Sequence, residues 1–82
     1  MTTLRYWAAA RAAAGVAEET TSAATLAEAL LLARSVRDDR FGRVLEVCSF
    51  VVDGEPVGAR DHSAVRLADG ALVDVLPPFA GG

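Results

Sequence analysis

The residues best suited to chemistry are the last six, Pro77-Pro78-Phe79-Ala80-Gly81-Gly82. Two consecutive prolines favour an extended, polyproline-like backbone that loses little entropy when held in place. At about 3.3–3.6 Å per residue, such a segment reaches roughly 20 Å. Gly81 and Gly82 carry no side chains and fit a channel too narrow for any other residue. The group delivered at the end is the α-carboxylate of Gly82, ionised at neutral pH. A carboxylate is a poor electrophile, so its use requires activation, most directly as an acyl-adenylate formed from ATP. Attack on that adenylate by sulfide gives a thiocarboxylate, whereas attack by an amine gives an amide. The competing explanation is a frayed terminus that happens to end in two glycines. A random chain does so in fewer than about one case in a hundred, with glycine near 7% of residues.

Side-chain chemistry is sparse elsewhere. The single cysteine, Cys48, rules out an internal disulfide and any multi-thiolate metal site. It lies in an apolar run and reads as a small buried hydrophobe, with nothing nearby to lower its pKa. The single histidine, His62, leaves no pair for zinc. Arg60-Asp61-His62-Ser63 has the composition of a triad without its geometry and reads as a solvated loop. The formal net charge of −3 and pI near 4.9 oppose binding to a phosphate backbone. All eight basic residues are arginine, which a GC-rich genome, suggested also by the abundant alanine, explains more simply than function does. No metal, bound cofactor or nucleic acid is expected.

The elements that must present this tail are those of one small domain. Hydrophobic residues make up 52% of the 82-residue chain and charged residues 23%, a composition that folds rather than stays disordered. The apolar runs Ala12–Ala14 and Ala29–Ala33 are too short to span a bilayer. Arg5 is followed by no apolar signal core, so a soluble, cytoplasmic protein without membrane association is expected. Leu4–Trp7 reads as a first strand, with Leu4 and Tyr6 on one face and Arg5 and Trp7 on the other. Ala8–Ala14 reads as a short helix stopped by Gly15, and Glu18–Ser22 as an edge strand. Thr25 and Glu28 have capping-box spacing and open the main helix, expected over residues 26–39. Its inward stripe is Leu26, Ala29, Leu30, Ala33 and Val36; Arg34, Arg37 and Arg40 form a solvated face near its end.

Val44–Val52 reads as a further strand, turned by Asp53-Gly54 into a short return at Glu55-Pro56-Val57. Asp69-Gly70 marks another turn, and Leu72–Leu76 the last strand, with Val73 and Val75 facing the core. Pro77-Pro78 ends it, because proline cannot donate a ladder hydrogen bond. This order fits an α+β fold, a β-grasp in which a mixed sheet wraps around one main helix plus a short helix. The domain is expected to occupy residues 1–76 and the extended tail residues 77–82.

Two blocks of the sequence resemble the MoaD-type small subunit of molybdopterin synthase, a ubiquitin-like sulfur carrier. One is Leu4-Arg5-Tyr6-Trp7-Ala8-Ala9-Ala10-Arg11-Ala12-Ala13-Ala14-Gly15, a hydrophobic strand running into a short arginine-containing helix. The other runs from Asp69-Gly70 through Leu72–Leu76 to Pro77-Pro78 and Gly81-Gly82, in the family's order and spacing. The middle, especially Asp38–Val47, matches in general character alone. The resemblance implies a ubiquitin-like fold and a Gly82 thiocarboxylate made by a ubiquitin-activating-type adenylating enzyme that uses ATP, with a separate sulfur donor enzyme. It further implies that Pro77, Pro78, Phe79, Ala80 and Gly81 thread into the synthase large subunit, in a heterotetramer, to deliver Gly82. There the sulfur passes to a cyclic pyranopterin monophosphate to build the molybdopterin dithiolene. The general acids and bases belong to that large subunit, which agrees with their scarcity here. Phe79 departs from the smaller aliphatic residue common in the family and bears on the fit of the tail.

Trp7, Leu76 and Phe79 are the residues expected to form an apolar docking patch near the tail root. Three other functions remain open on the sequence. A carrier for thiamine or cysteine biosynthesis would use the same tail chemistry with another acceptor. A ubiquitin-like modifier would join substrate lysines through Gly82, although a chain without lysine cannot form lysine-linked chains with itself. A plain binding module would carry its two terminal glycines incidentally.

Overall fold

In the computed structural model, which describes residues 1–78, alternating residues of strand β1 (Thr2–Tyr6) point inward, so Thr2, Leu4 and Tyr6 are buried. Helix α1 (Ala8–Ala14) follows and stops at Gly15. There φ is +81°, and the glycine N–H donates to the Arg11 carbonyl at 3.0 Å. Strand β2 (Glu18–Thr21) returns antiparallel to β1. Helix α2 (Leu26–Ser35) begins at Thr25, whose hydroxyl accepts the Glu28 N–H at 3.2 Å. Helix α3 (Asp39–Glu46), strands β3 (Ser49–Val52) and β4 (Glu55–Pro56), a 3-10 turn at His62–Ala64 and strand β5 (Leu72–Leu76) complete the chain.

The strands form one sheet in the order β2-β1-β5-β3-β4. The β1–β5 pair is parallel and the other neighbours are antiparallel. A mixed sheet that grips helices on one face is the ubiquitin-like β-grasp. Leu4, Tyr6, Phe50, Val73 and Val75 from the sheet and Leu26, Ala29, Leu30 and Ala33 from α2 form one core with Phe41 and Leu45 of α3. Phe41 meets Tyr6 edge to face, with ring centroids 5.7 Å apart. The β3–β4 hairpin turns at Asp53-Gly54, where φ is +50° and +83°, a two-residue type I′ loop. Asp53 also joins that loop to β5: its N–H donates to the Leu72 carbonyl and its carboxylate accepts the Leu72 N–H, each at 2.9 Å. Among the described residues, no helix is long and apolar enough to cross a membrane.

Several expectations fail in the middle of the chain. The helix expected over 26–39 ends at Ser35, and the chain re-enters a helix, α3, after Asp38. The Asp38 carboxylate accepts the Phe41 N–H at 3.2 Å, which caps a new helix. α3 takes residues 44–46 from the strand expected over Val44–Val52, because Phe41 and Leu45 bury together at i,i+4 spacing. The sheet therefore grips three helices, not one main and one short. Val36, placed on the inward stripe, lies just past the end of α2 and is 74% exposed.

Arg37 departs from expectation as well, being a largely buried clamp and not part of a solvated face. Its guanidinium, 11% exposed, pairs with Glu19 at 2.8 Å and donates to the carbonyls of Ala14 and Ala33. It also lies over the rings of Phe41 and Tyr6 at 4.8 and 5.5 Å. The Tyr6 hydroxyl donates to the same Glu19 carboxylate. Burial pushes the Glu19 carboxyl up, but the hydrogen bonds from Arg37 and Tyr6 outweigh it and hold the group below its ordinary value. Tyr6 moves the other way, raised by burial and by that bond to Glu19.

Candidate functional site

The tail begins at the middle of the sheet. β5 lies between β1 and β3 and runs at Leu76 into Pro77 and Pro78. β1 is parallel to β5 and ends beside it, so the Trp7 N–H donates to the Val75 carbonyl at 3.2 Å. On the other flank Ser49, at the start of β3, pairs with Leu76. Since Leu4, Tyr6, Val73 and Val75 face inward, Arg5, Leu72, Asp74 and Leu76 share the opposite, helix-free face.

Asp74 organises that face. Arg5 Nε donates to Asp74 Oδ1 at 2.7 Å, and a second guanidinium nitrogen reaches Oδ2 at 3.3 Å. The Trp7 indole N–H donates to Oδ1 at 2.9 Å, and the Arg5 guanidinium lies 5.2 Å from the centre of the Trp7 ring. Burial alone would raise the Asp74 carboxyl; the bonds from Arg5 and Trp7 outweigh it and lower the group from its ordinary value. Trp7 is thus 45% exposed yet held by its hydrogen bond to Asp74 and by the Arg5 guanidinium against its ring. Directly after it, Ala8 adopts φ +48°, an uncommon conformation for a residue with a β-carbon, and the chain turns there into α1.

Of the expected docking residues, Trp7 and Leu76 stand at the tail root, with Leu76 half-buried. Pro77 is half-buried and Pro78 exposed. Phe79, Ala80, Gly81 and Gly82, the rest of the expected tail, lie outside the described residues. Sequence reading set Arg5 on the face of Trp7 and Asp74 among the outward residues of the last strand, but missed that the two meet and hold Trp7. Alternation in each strand gave their orientation, but the pairing of β1 with β5 that joins them has no local signal.

The remaining candidates take structural roles. Cys48 is half-buried just before β3 rather than inside a strand; its thiol donates to the Val44 carbonyl at 3.1 Å, and burial pushes its pKa up. A thiol held protonated in this way is a poor nucleophile. His62 belongs to the 3-10 turn and packs edge-on against Phe50 at 5.1 Å, so it is not in a solvated loop. Asp61 caps that turn: its carboxylate accepts the Ser63 N–H and hydroxyl at 2.9 and 2.7 Å. These local bonds account for the triad-like composition. Among the described residues, no cluster of three metal-ligating side chains occurs.

Comparison with known proteins covers nearly the whole chain. Residues 4–82 match the model of the ThiS family. Among solved structures, small archaeal modifier protein 1 from Methanosarcina acetivorans is similar, with a TM-score of 0.83 at 19% identity over 99% of this chain and 95% of that one. A chain in the Amycolatopsis orientalis BexX/CysO complex gives 0.81 at 20% identity, covering all of both chains. A chain in the complex of subunits 1 and 2 of the molybdopterin-converting factor from Helicobacter pylori gives 0.73 at 20% identity, over 99% and 97%. At these identities the likeness is one of fold. No curated protein sequence gives a significant match.

Proposed function

This chain belongs to the ThiS family of ubiquitin-like sulfur carriers, and from that premise we propose that it acts as the small subunit of a molybdopterin synthase. The observation that carries the proposal is the junction at Leu76, where the central strand of the sheet runs into Pro77-Pro78 beside the fixed Trp7. A tail leaving the middle of a sheet inherits the rigidity of that sheet at its root, and two prolines extend it away from the surface. Residues 1–76 act as the platform and residues 77–82 as the reaching arm.

In this reading the Gly82 carboxylate attacks the α-phosphorus of ATP on an adenylating partner and releases pyrophosphate. Sulfide-level sulfur from a donor enzyme then displaces AMP and leaves a thiocarboxylate. In the large subunit that sulfur passes to a cyclic pyranopterin monophosphate, and water restores the Gly82 carboxylate. The chain itself contributes the acyl terminus, the Pro77–Gly81 segment that threads into the partner, and a docking face of Trp7, Leu76 and Phe79. The catalytic acids and bases are supplied by the partner.

Intact mass spectrometry of the protein from its native host tests the carrier chemistry. Replacement of one C-terminal oxygen by sulfur is the expected result; covalent adducts with other proteins instead would identify a modifier. Reconstitution of the thiocarboxylate with candidate acceptor enzymes tests the pathway. Sulfur delivery to the pterin precursor by a large synthase subunit is expected, and delivery to a thiamine or cysteine pathway enzyme alone would overturn it.

A further inference from the structure

The two edges of the sheet differ in how their backbone is protected. At the β4 edge the strand is two residues long, Pro56 has no N–H, and Arg60 donates to the carbonyls of Pro56 and Val57 at 3.2 and 3.0 Å. Among the described residues, the β2 edge has no such cover. Tyr6 N–H donates to the Ala17 carbonyl at 2.8 Å, and Leu4 is registered with Glu19. That phase directs the backbone groups of residues 17, 19 and 21 towards β1 and those of Glu18 and Thr20 to the free edge. Beside this edge, between β2 and α2, runs a groove of about 250 Å³ whose lining includes Thr20, Thr21, Leu32 and Val36. Leu32 is 41% and Val36 74% exposed, a ledge of apolar surface next to unpaired backbone.

We propose that this groove docks an extended strand of a partner protein, paired to Glu18 and Thr20, in which apolar residues alternate with basic ones. A strand added to β2 sends alternate side chains to opposite faces. On the helix side they meet Leu32 and Val36, which calls for apolar groups. On the opposite side they lie beside Glu18. Glu18 is registered with Arg5 and attracts it, but the Arg5 guanidinium is hydrogen-bonded to Asp74, and among the described residues no cation lies within salt-bridge distance of Glu18. A second copy of this chain fits less well: it would add another Glu18-Glu19 edge and a further net charge of −3 along one line. The site is separate from the tail root, since β1 lies between β2 and β5.

The test is an NMR titration of the full chain with a blocked heptapeptide alternating valine and lysine, beside the same peptide with glutamate for lysine. Saturable shifts are expected at the Glu18 and Thr20 amides and the Leu32 and Val36 methyls, with the lysine peptide preferred. Glu18→Lys is expected to change the affinity for the lysine peptide by about two- to fivefold downward and to reverse the preference. Val36→Asp, at an exposed position, is expected to abolish saturation without altering the rest of the spectrum. Shifts centred on Trp7 and Leu76, equal response to both peptides, no saturation at millimolar peptide, or peptide-independent dimerisation through Thr20 would each overturn the proposal.

Discussion

Two carboxylates, Asp74 and Glu19, fix aromatic residues on opposite faces of the sheet. Asp74 holds the Trp7 indole and the Arg5 guanidinium on the helix-free face, and Glu19 receives Tyr6 and Arg37 on the helix side. Both are held below their ordinary values, so their contribution to stability is complete above the unfolded carboxylate range near pH 4 and is lost as pH falls through the lower folded values. Glu19→Gln is therefore expected to flatten the acid side of the stability profile, measured as urea midpoints between about pH 6 and pH 3. Arg37→Met leaves Glu19 without its cation and is expected to cost about 2–3 kcal/mol at neutral pH, with acid unfolding moved to higher pH. On the other face, Trp7→Ala is expected to weaken large-subunit binding by about 2 kcal/mol with the fold intact, and Leu76→Arg to weaken it similarly. Unchanged affinity in folded variants, measured calorimetrically, would remove this face from the interface.

Two of the three helix starts, those of α2 and α3, rest on one side chain each; α1 follows Trp7 without a side-chain cap. Thr25 caps α2 and Asp38 caps α3, each accepting the N–H three residues on. Asp38→Ala is expected to cost about 1 kcal/mol, and hydrogen exchange should accelerate first in residues 39–46. The Thr25 cap, the Gly15 stop and the Asp53-Gly54 turn were all legible in sequence, because each depends on the conformation of neighbouring residues. The break between α2 and α3 was not. Leu26 through Ala33 continue to Val36 at helical spacing, and Val44 and Val47 suit a strand as well as a helix. Burial of Phe41 against Tyr6 decides between them, and Tyr6 is 35 positions away in the chain.

At the scale of the whole molecule, a core this small supports a stability on the order of 4–12 kcal/mol. That suffices for a platform, provided the chemistry is done at the terminus and in the partner. Removing Gly82, or adding a residue after it, is expected to abolish sulfur transfer while leaving the thermal midpoint unchanged. Retained synthase activity in either variant would refute a terminal-carboxylate mechanism. The sequence alone determined the inward alternation of β1 and β5, the Thr25 cap, the Gly15 stop, the Asp53-Gly54 turn and the Pro77-Pro78 spacer, since these are written in adjacent residues. Only the tertiary structure decided that β1 lies beside β5, bringing Asp74 to Arg5 and Trp7, and that Arg37 folds back onto Glu19. Which strands become neighbours is set by how the helices fill one shared core, and no local pattern carries that information.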